Sequence, residues 1–476
     1  MKILLIHPPI TDNERYGSFA KAGSILPPLG LLYISSYLRK NGYNHVSLVD
    51  GLRDNTGFSE LNNRVQEFCP SVVGITATTL TYQRATETAR LIKQIDPKII
   101  TILGGPHATA YKDDIINEED AFDCTVTGEG EETMLQLVQA LDEGRSWRDI
   151  PGTICRDGRE TKVNDSRPFI ANLDDVPFPD RDLLVRGWQH FYRPNLARVN
   201  REPVTSMITS RGCPYQCTFC DRNTFGRKFR SHSAEYVVSE MEMLVEEYGI
   251  REICIEDDTF TINKERVAEI CESLIRKDLD LTWSCLARVD TVDKQLLSLM
   301  KRAGCWLIAY GIESGNPHIL KKMKKNIDLE KAKEVIKWSR QEKLDVRAFF
   351  VIGHPGETEE TALETIRYAK SLPLLSVTFC LMTPIRNTEA YDMAISGEYG
   401  KFEVDFSQLS GHPTNPTFTP NGFSKESLMA YHRRAYREFF LRPVMVFRFL
   451  RNIRSFGHVR RYYRLLLAAK DVLLKS

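Results

Sequence analysis

The strongest constraint on this chain is an alternation that occurs twice. Short apolar runs alternate with amphipathic stretches in two blocks, and a segment rich in Asp, Arg and Pro lies between them. In the first block, Lys2–His7, Val46–Val49, Val72–Thr76, Ile99–Leu103 and Cys124–Thr127 read as strands. Gly30–Lys40, Arg84–Ile95 and a stretch ending at Leu141 read as helices. Apolar strands that alternate with helices predict a parallel sheet covered on both faces. Residues 146–202 break the pattern, because Val176-Pro-Phe-Pro-Asp180 cannot be a regular element. They predict a surface linker with a small hairpin around Gly152–Val163. The second block, 203–395, holds Val204–Ser210, Glu252–Glu256, Thr282–Ala287, Trp306–Gly311, Val346–Ile352 and Ser376–Leu381 as strands. Ala234–Tyr248, Lys264–Lys277, Lys294–Ala303 and Leu329–Glu342 are among the helices between them. Six such units suit an open or closed barrel.

Charge divides the chain further. The 64 Lys+Arg and 63 Asp+Glu leave a net +1. Yet 13 basic and 3 acidic residues fall in Lys425–Ser476, so this tail carries +10 and the rest −9. The region 396–476 reads as basic and helical, with helices around Tyr431–Arg442, Val444–Ile453 and His458–Leu474. Such helices suit an anionic membrane surface or docking on the acidic body, and no nucleic-acid partner is expected. Hydrophobic residues at 42% exclude global disorder. No run of 18 apolar residues predicts a spanning helix, and Met1–Pro9 is too short and too proline-rich for a signal peptide. Eight of the eleven cysteines are scattered, which argues against a disulfide framework and for a reducing cytoplasm.

The other three stand together. Cys213-Pro-Tyr-Gln-Cys217-Thr-Phe-Cys220 follows a predicted strand directly. Three thiolates on one loop can hold three corners of a cubic iron–sulfur cluster and leave the fourth iron open. A zinc site would need a fourth ligand, such as His232, twelve residues downstream in a basic stretch. Three unrelated thiols are the remaining alternative.

This C-x3-C-x2-C spacing resembles the signature of the radical S-adenosylmethionine (SAM) superfamily, over roughly the whole second block. The resemblance implies a [4Fe–4S] cluster held by Cys213, Cys217 and Cys220, and SAM chelated at the open iron. One electron from the cluster would then yield a 5′-deoxyadenosyl radical. An external reductant of flavodoxin or ferredoxin type would supply that electron. The resemblance places Phe219 near the adenine and Glu256-Asp257-Asp258 at the SAM amino group. It places Glu313 at the ribose and Gly353 and Gly356 against the adenine. Arg288 could pair with the SAM carboxylate, and His354 could face the substrate. All of these residues end predicted strands, where barrel active sites are built.

The first block has its own strand-end loops, which carry Pro9, Thr76, Thr78, Gly104, Gly105, Pro106, His107, Gly128, Glu129 and Gly130. Such loops form the ligand crevice of an open α/β sheet. G-x-G-x-x-G is absent after the first strand, which argues against a nicotinamide cofactor. Joined to the second block, this domain resembles the cobalamin-binding class of radical SAM enzymes over about residues 1–145. That implies cobalamin at the sheet edge. The D-x-H-x-x-G motif, whose His ligates cobalt in other cobalamin proteins, is absent, so no protein His ligand is expected.

The expected fold is α/β: a Rossmann-like, flavodoxin-like parallel sheet, then a (β/α)6 partial TIM barrel and a helical tail. The expected chemistry is methylation of an unactivated carbon of a hydrophobic or natural-product substrate. The alternatives are radical cyclisation or rearrangement of a porphyrin- or lipid-like substrate, as in the anaerobic Mg-protoporphyrin monomethyl ester cyclase, or a cofactor sensor without turnover.

Overall fold

A computed structural model describes residues 1–16, 23–53, 57–192, 194, 199–403 and 416–445. The chain divides into two compact units. One comprises Met1–Arg15, Pro27–Phe191 and Arg222–Arg230, and the other comprises the remainder.

The first unit is built on strands β1 (Ile3–His7), β2 (Val46–Asp50), β3 (Val72–Thr76), β4 (Ile100–Gly104), β5 (Cys124–Val126), β6 (Thr153–Asp157) and β7 (Glu160–Val163). Their order in the sheet is β2-β1-β3-β4-β5-β6-β7, with β1 to β5 parallel. Side chains alternate across a strand, so β1 feeds two cores. Leu4 and Ile6 pack with Leu61, Val65, Ala85 and Ile92. Ile3 and Leu5 pack with Leu31, Leu38, Leu137 and Val138 on the other face. Two helices thus cover each face: 58–68 with 82–95, and 29–40 with 131–142. Helix Phe58–Phe68 buries only Leu61 and Val65, too weak a pattern to stand out in the sequence. The hairpin expected within the linker is present, and it continues this sheet: β6 pairs antiparallel with β5, and β7 with β6.

In the second unit, β8 (Val204–Met207) is followed by the two-residue strand β9 (Ser210–Arg211). After β10 (Arg230–Ser231) come β11 (Glu252–Ile255), β12 (Thr282–Ala287), β13 (Cys305–Glu313), β14 (Asp345–Ile352) and β15 (Ser376–Leu381). The main sheet runs β15-β14-β13-β12-β11-β8, wholly parallel, with neighbours in chain order. This is a (β/α)6 partial barrel, so β15 is an edge whose outer peptide groups need partners. Helix Lys425–Phe440 supplies them at Phe379. Its Tyr436 hydroxyl meets Phe379 N and O at 3.2 Å, and His432 Nε2 donates to Phe379 O at 2.9 Å. Lys370–Glu438 (2.5 Å) and Tyr431–Glu359 (2.9 Å) fasten the same helix to helix Glu359–Ser371. The first basic helix therefore docks on the barrel. The two expected after Val444 lie outside the described residues. Among the described residues, no helix is long and apolar enough to cross a membrane.

Candidate functional site

The cysteine loop leaves the carboxyl edge of the barrel sheet. Its root is held by Asp257, which follows β11. This buried carboxylate accepts from Thr209 N (2.5 Å), Thr209 Oγ1 (2.6 Å), Ser210 N (3.1 Å) and Ser210 Oγ (2.6 Å). A carboxylate has about four acceptor positions, and all are filled. Asp257, expected at the SAM amino group, instead anchors the loop. The loop's far side is fixed where Thr218 N donates to Met323 O (2.9 Å) and Ala390 N donates to Thr218 O (3.0 Å).

Cys217 is buried, Cys213 half-buried and Cys220 exposed. The Cys217 thiol is pushed down to about 6, first by a hydrogen bond from Cys220 and then by the positive charges of Lys325 and Arg288. Cys220 moves up, because it keeps the proton the two share. Burial raises Cys213, and the charge of Asp258 adds to that. Cys217 is therefore a ready thiolate ligand with cations beside it, which fits an anionic iron–sulfur cluster. His232 does not join the cysteines; it is buried and stacked on Tyr236 at 3.8 Å.

Arg288 reaches Cys217 Sγ at 3.9 Å and lies 3.7 Å over the Tyr215 ring. Its Nε and Nη2 are engaged by Asp290 at 2.9 and 2.8 Å, and Nη2 also donates to Lys325 O at 2.9 Å. The fork expected for the SAM carboxylate is thus largely filled from within. Beside it, Lys325 Nζ pairs with Glu313 Oε1 at 3.0 Å, both side chains nearly buried. Burial works against the ammonium, but Glu313 and Cys217 outweigh it and raise its pKa. Glu313 ends β13 with φ +71°, an uncommon backbone state for a residue other than Gly. Lys325 belongs to the run Lys321-Lys-Met-Lys-Lys325, which reads as a solvated face, so the sequence gives no signal that one of its members is buried.

Around this charged centre, Phe219 is half-buried against an apolar cluster that includes Ile319, Met323 and Met382. Glu256 is half-buried and Asp258 exposed. Gly353 and Gly356 both have positive φ, at +89° and +83°. His354 is wholly buried, with Nε2 3.3 Å from Thr218 Oγ1. Burial lowers its pKa to about 4, so its imidazole is neutral where it meets the cysteine loop at Thr218. Glu357, missed in the sequence, accepts from Gly353 N at 2.5 Å, and burial raises its carboxyl to about 8.

The first unit's carboxyl edge is built differently. Thr76 and Gly104 end β3 and β4, and Pro106 opens helix Pro106–Tyr111. Thr78 N donates to Thr81 Oγ1 (2.9 Å), and Gly128 N donates to Thr109 Oγ1 (3.0 Å). Gly130 caps helix Glu131–Asp142, and Pro9 packs against Gly51. A Cβ on Gly104 would meet nothing within 4 Å, so this edge has free space for a ring to approach. Two expected contacts are engaged elsewhere. His107 lies between Tyr82 and Tyr111, at 4.0 and 4.2 Å, with Nδ1 3.2 Å from Thr79 Oγ1. Buried Glu129 binds Arg230 Nη1 at 2.9 Å and Ile170 N at 2.8 Å, so its carboxylate holds segment 222–230.

Two family models match the chain. Residues 207–369 match the radical SAM superfamily model, and residues 17–138 match the B12 binding domain. An uncharacterized methyltransferase of Pyrococcus horikoshii is 34% identical over 444 residues, 93% of each chain. The anaerobic magnesium-protoporphyrin IX monomethyl ester cyclase of Rubrivivax gelatinosus is 29% identical, over 93% of this chain and 78% of its own. Among solved structures, the cobalamin-dependent radical SAM enzyme OxsB aligns with TM-score 0.76 at 17% identity, covering 98% of this chain and 71% of its own. The radical SAM methyltransferase TsrM of Kitasatospora setae aligns with TM-score 0.72 at 18% identity, covering 93% and 90%. With both family models and a full-length relative in agreement, the chain belongs to the cobalamin-binding radical SAM enzymes, whose cofactors are a [4Fe–4S] cluster, SAM and cobalamin.

Proposed function

We propose that this enzyme methylates an unactivated carbon of a hydrophobic or natural-product substrate. Similarity over 93% of both chains to a methyltransferase carries this reading. When bound, the cluster with SAM supplies a 5′-deoxyadenosyl radical that removes hydrogen, and cobalamin supplies the methyl group. Cys213, Cys217 and Cys220 are the cluster ligands in this reading, and Lys325 and Arg288 offset the cluster's negative charge. Phe219, Glu256, Asp258, Glu313, Gly353 and Gly356 border SAM. Arg288 approaches the SAM carboxylate only through Nη1, the group nearest Cys217. Pro9, Thr76, Thr78, Gly104, Gly105, Pro106, Gly128 and Gly130 border cobalamin, while Glu129 and His107 shape that edge from behind. A one-electron donor of flavodoxin or ferredoxin type completes the system.

A second reading is radical cyclisation or rearrangement of a porphyrin- or lipid-like substrate, supported by the 29% identity to the cyclase. Turnover with methyl-labelled SAM under a low-potential reductant separates the two. Methylation yields S-adenosylhomocysteine beside 5′-deoxyadenosine, with label in the product. Formation of 5′-deoxyadenosine with neither S-adenosylhomocysteine nor labelled product rejects it.

A further inference from the structure

The missing D-x-H-x-x-G motif does not leave the first sheet without a histidine at its carboxyl edge. His7 ends β1, beside Asp50 at the end of β2. In the order β2-β1-β3 the chain crosses to one side of β1 and then to the other, so the switch point lies between β1 and β3. Open parallel sheets bind ligands in the crevice outside that point. His7 is the last residue of β1 there, and its side chain is 18% exposed.

Its placement is firm. Nδ1 donates to Asp50 Oδ1 at 3.0 Å, and the His7 carbonyl accepts from Gly51 N at 2.9 Å. The prolines that follow lie so close to the turn that a Cβ on Gly51 would fall 2.6 Å from Pro9. Nε2 has no hydrogen-bond or ion-pair partner among the described residues. Metal-binding histidines are held in this way, with one ring nitrogen on a carboxylate and the other lone pair presented to the metal. His107, the other histidine at this edge, is enclosed by two tyrosines.

We infer that His7 Nε2 is the lower axial ligand of the cobalamin cobalt, with Asp50 as its positioning residue. This rests on cobalamin binding to the first unit, and it departs from the expectation drawn from the absent motif. The test is electron paramagnetic resonance of the cobalamin-loaded enzyme, reduced anaerobically to Co(II). One coordinated nitrogen-14 splits the high-field lines threefold, and protein grown on nitrogen-15 histidine should show twofold splitting. A threefold pattern that survives the labelling assigns the ligand to cobalamin's own base and overturns the inference, as does the absence of nitrogen splitting. His7→Gln should keep cobalamin absorption and lose the splitting; splitting that persists in this variant also overturns it. A wild-type sample with no cobalamin absorption fails at the earlier step, cofactor binding itself.

Discussion

The two parallel sheets carry opposite kinds of carboxyl edge. At the barrel edge, charges are buried together: a lowered Cys217 thiol, the Lys325–Glu313 pair, and Arg288 on Asp290. At the first edge Thr, Gly and Pro predominate, and two pairs serve to hold structure in place: Glu129–Arg230 ties down a neighbouring segment, and Asp50 holds His7. The difference suits the cofactor sites proposed for the two edges. A small anionic cluster needs thiolates with cations beside them. A large macrocycle needs surface and clearance, which short side chains and glycine give.

If the barrel edge alone handles iron, Cys217→Ala abolishes iron loading and SAM cleavage while cobalamin absorption stays. Iron analysis and 5′-deoxyadenosine assay read the two halves separately. Retained cleavage would break the assignment of the cysteine loop, and loss of cobalamin would break the independence of the two edges.

The buried ion pairs come next. Removing one partner of such a pair leaves an uncompensated charge, typically at a cost of about 3–5 kcal/mol. Lys325→Met should therefore lower the denaturation midpoint strongly and also raise the Cys217 pKa, since Lys325 helps to lower it. Lys325→Met/Glu313→Gln should recover part of the stability, because the two effects are coupled. Glu129→Gln should cost stability comparably but leave SAM cleavage by the folded protein intact. Equal effects of the two variants on cleavage would erase the contrast.

Two buried titratable groups of the barrel give opposite pH slopes. Glu357 is raised to about 8 by burial, so the folded state holds a proton that the unfolded chain has lost. Its contribution makes stability fall as pH rises between about 5 and about 8. His432 is lowered to about 4 by burial, so the unfolded chain binds the extra proton. Its contribution falls as pH drops from about 6.5 towards 4. Urea midpoints across this range should flatten on the alkaline side in Glu357→Gln and on the acidic side in His432→Gln. An unchanged profile in Glu357→Gln would show that this carboxyl is ionised in the fold.

The sheets were legible in the sequence because most of their strands are short, largely apolar runs, several of them followed by Gly, Pro or Asp. The cysteine spacing was legible for the same reason: it is local. What could not be read was pairing between distant residues. Nothing in Glu256-Asp257-Asp258 shows that the middle carboxylate is saturated by Thr209 and Ser210. Nothing in Gly128-Glu-Gly130 announces Arg230, and nothing in a lysine run singles out Lys325. The sequence shows which residue types reach a strand end. Which of them still have a free atom there depends on long-range partners.

The smallest predicted effect tests how closely the first edge is fitted. Gly104 and Gly105 are adjacent but not equivalent. A Cβ on Gly104 meets nothing within 4 Å, whereas one on Gly105 falls 2.7 Å from Thr76 Oγ1 and 2.8 Å from the Ala77 carbonyl. Gly105 also has φ +93° and ψ −175°, a region essentially reserved for glycine, where an L side chain is strained by roughly 1–3 kcal/mol. Gly105→Ala should therefore lower stability by at least about that amount, because the neighbouring backbone cannot simply move aside. Gly104→Ala should leave the fold unchanged and instead weaken cobalamin retention, since its methyl occupies space on the open side of β4. Denaturation curves and cobalamin titrations on the pair decide it. A Gly104→Ala protein that binds cobalamin as tightly as wild type would mean that the ring does not approach this strand end.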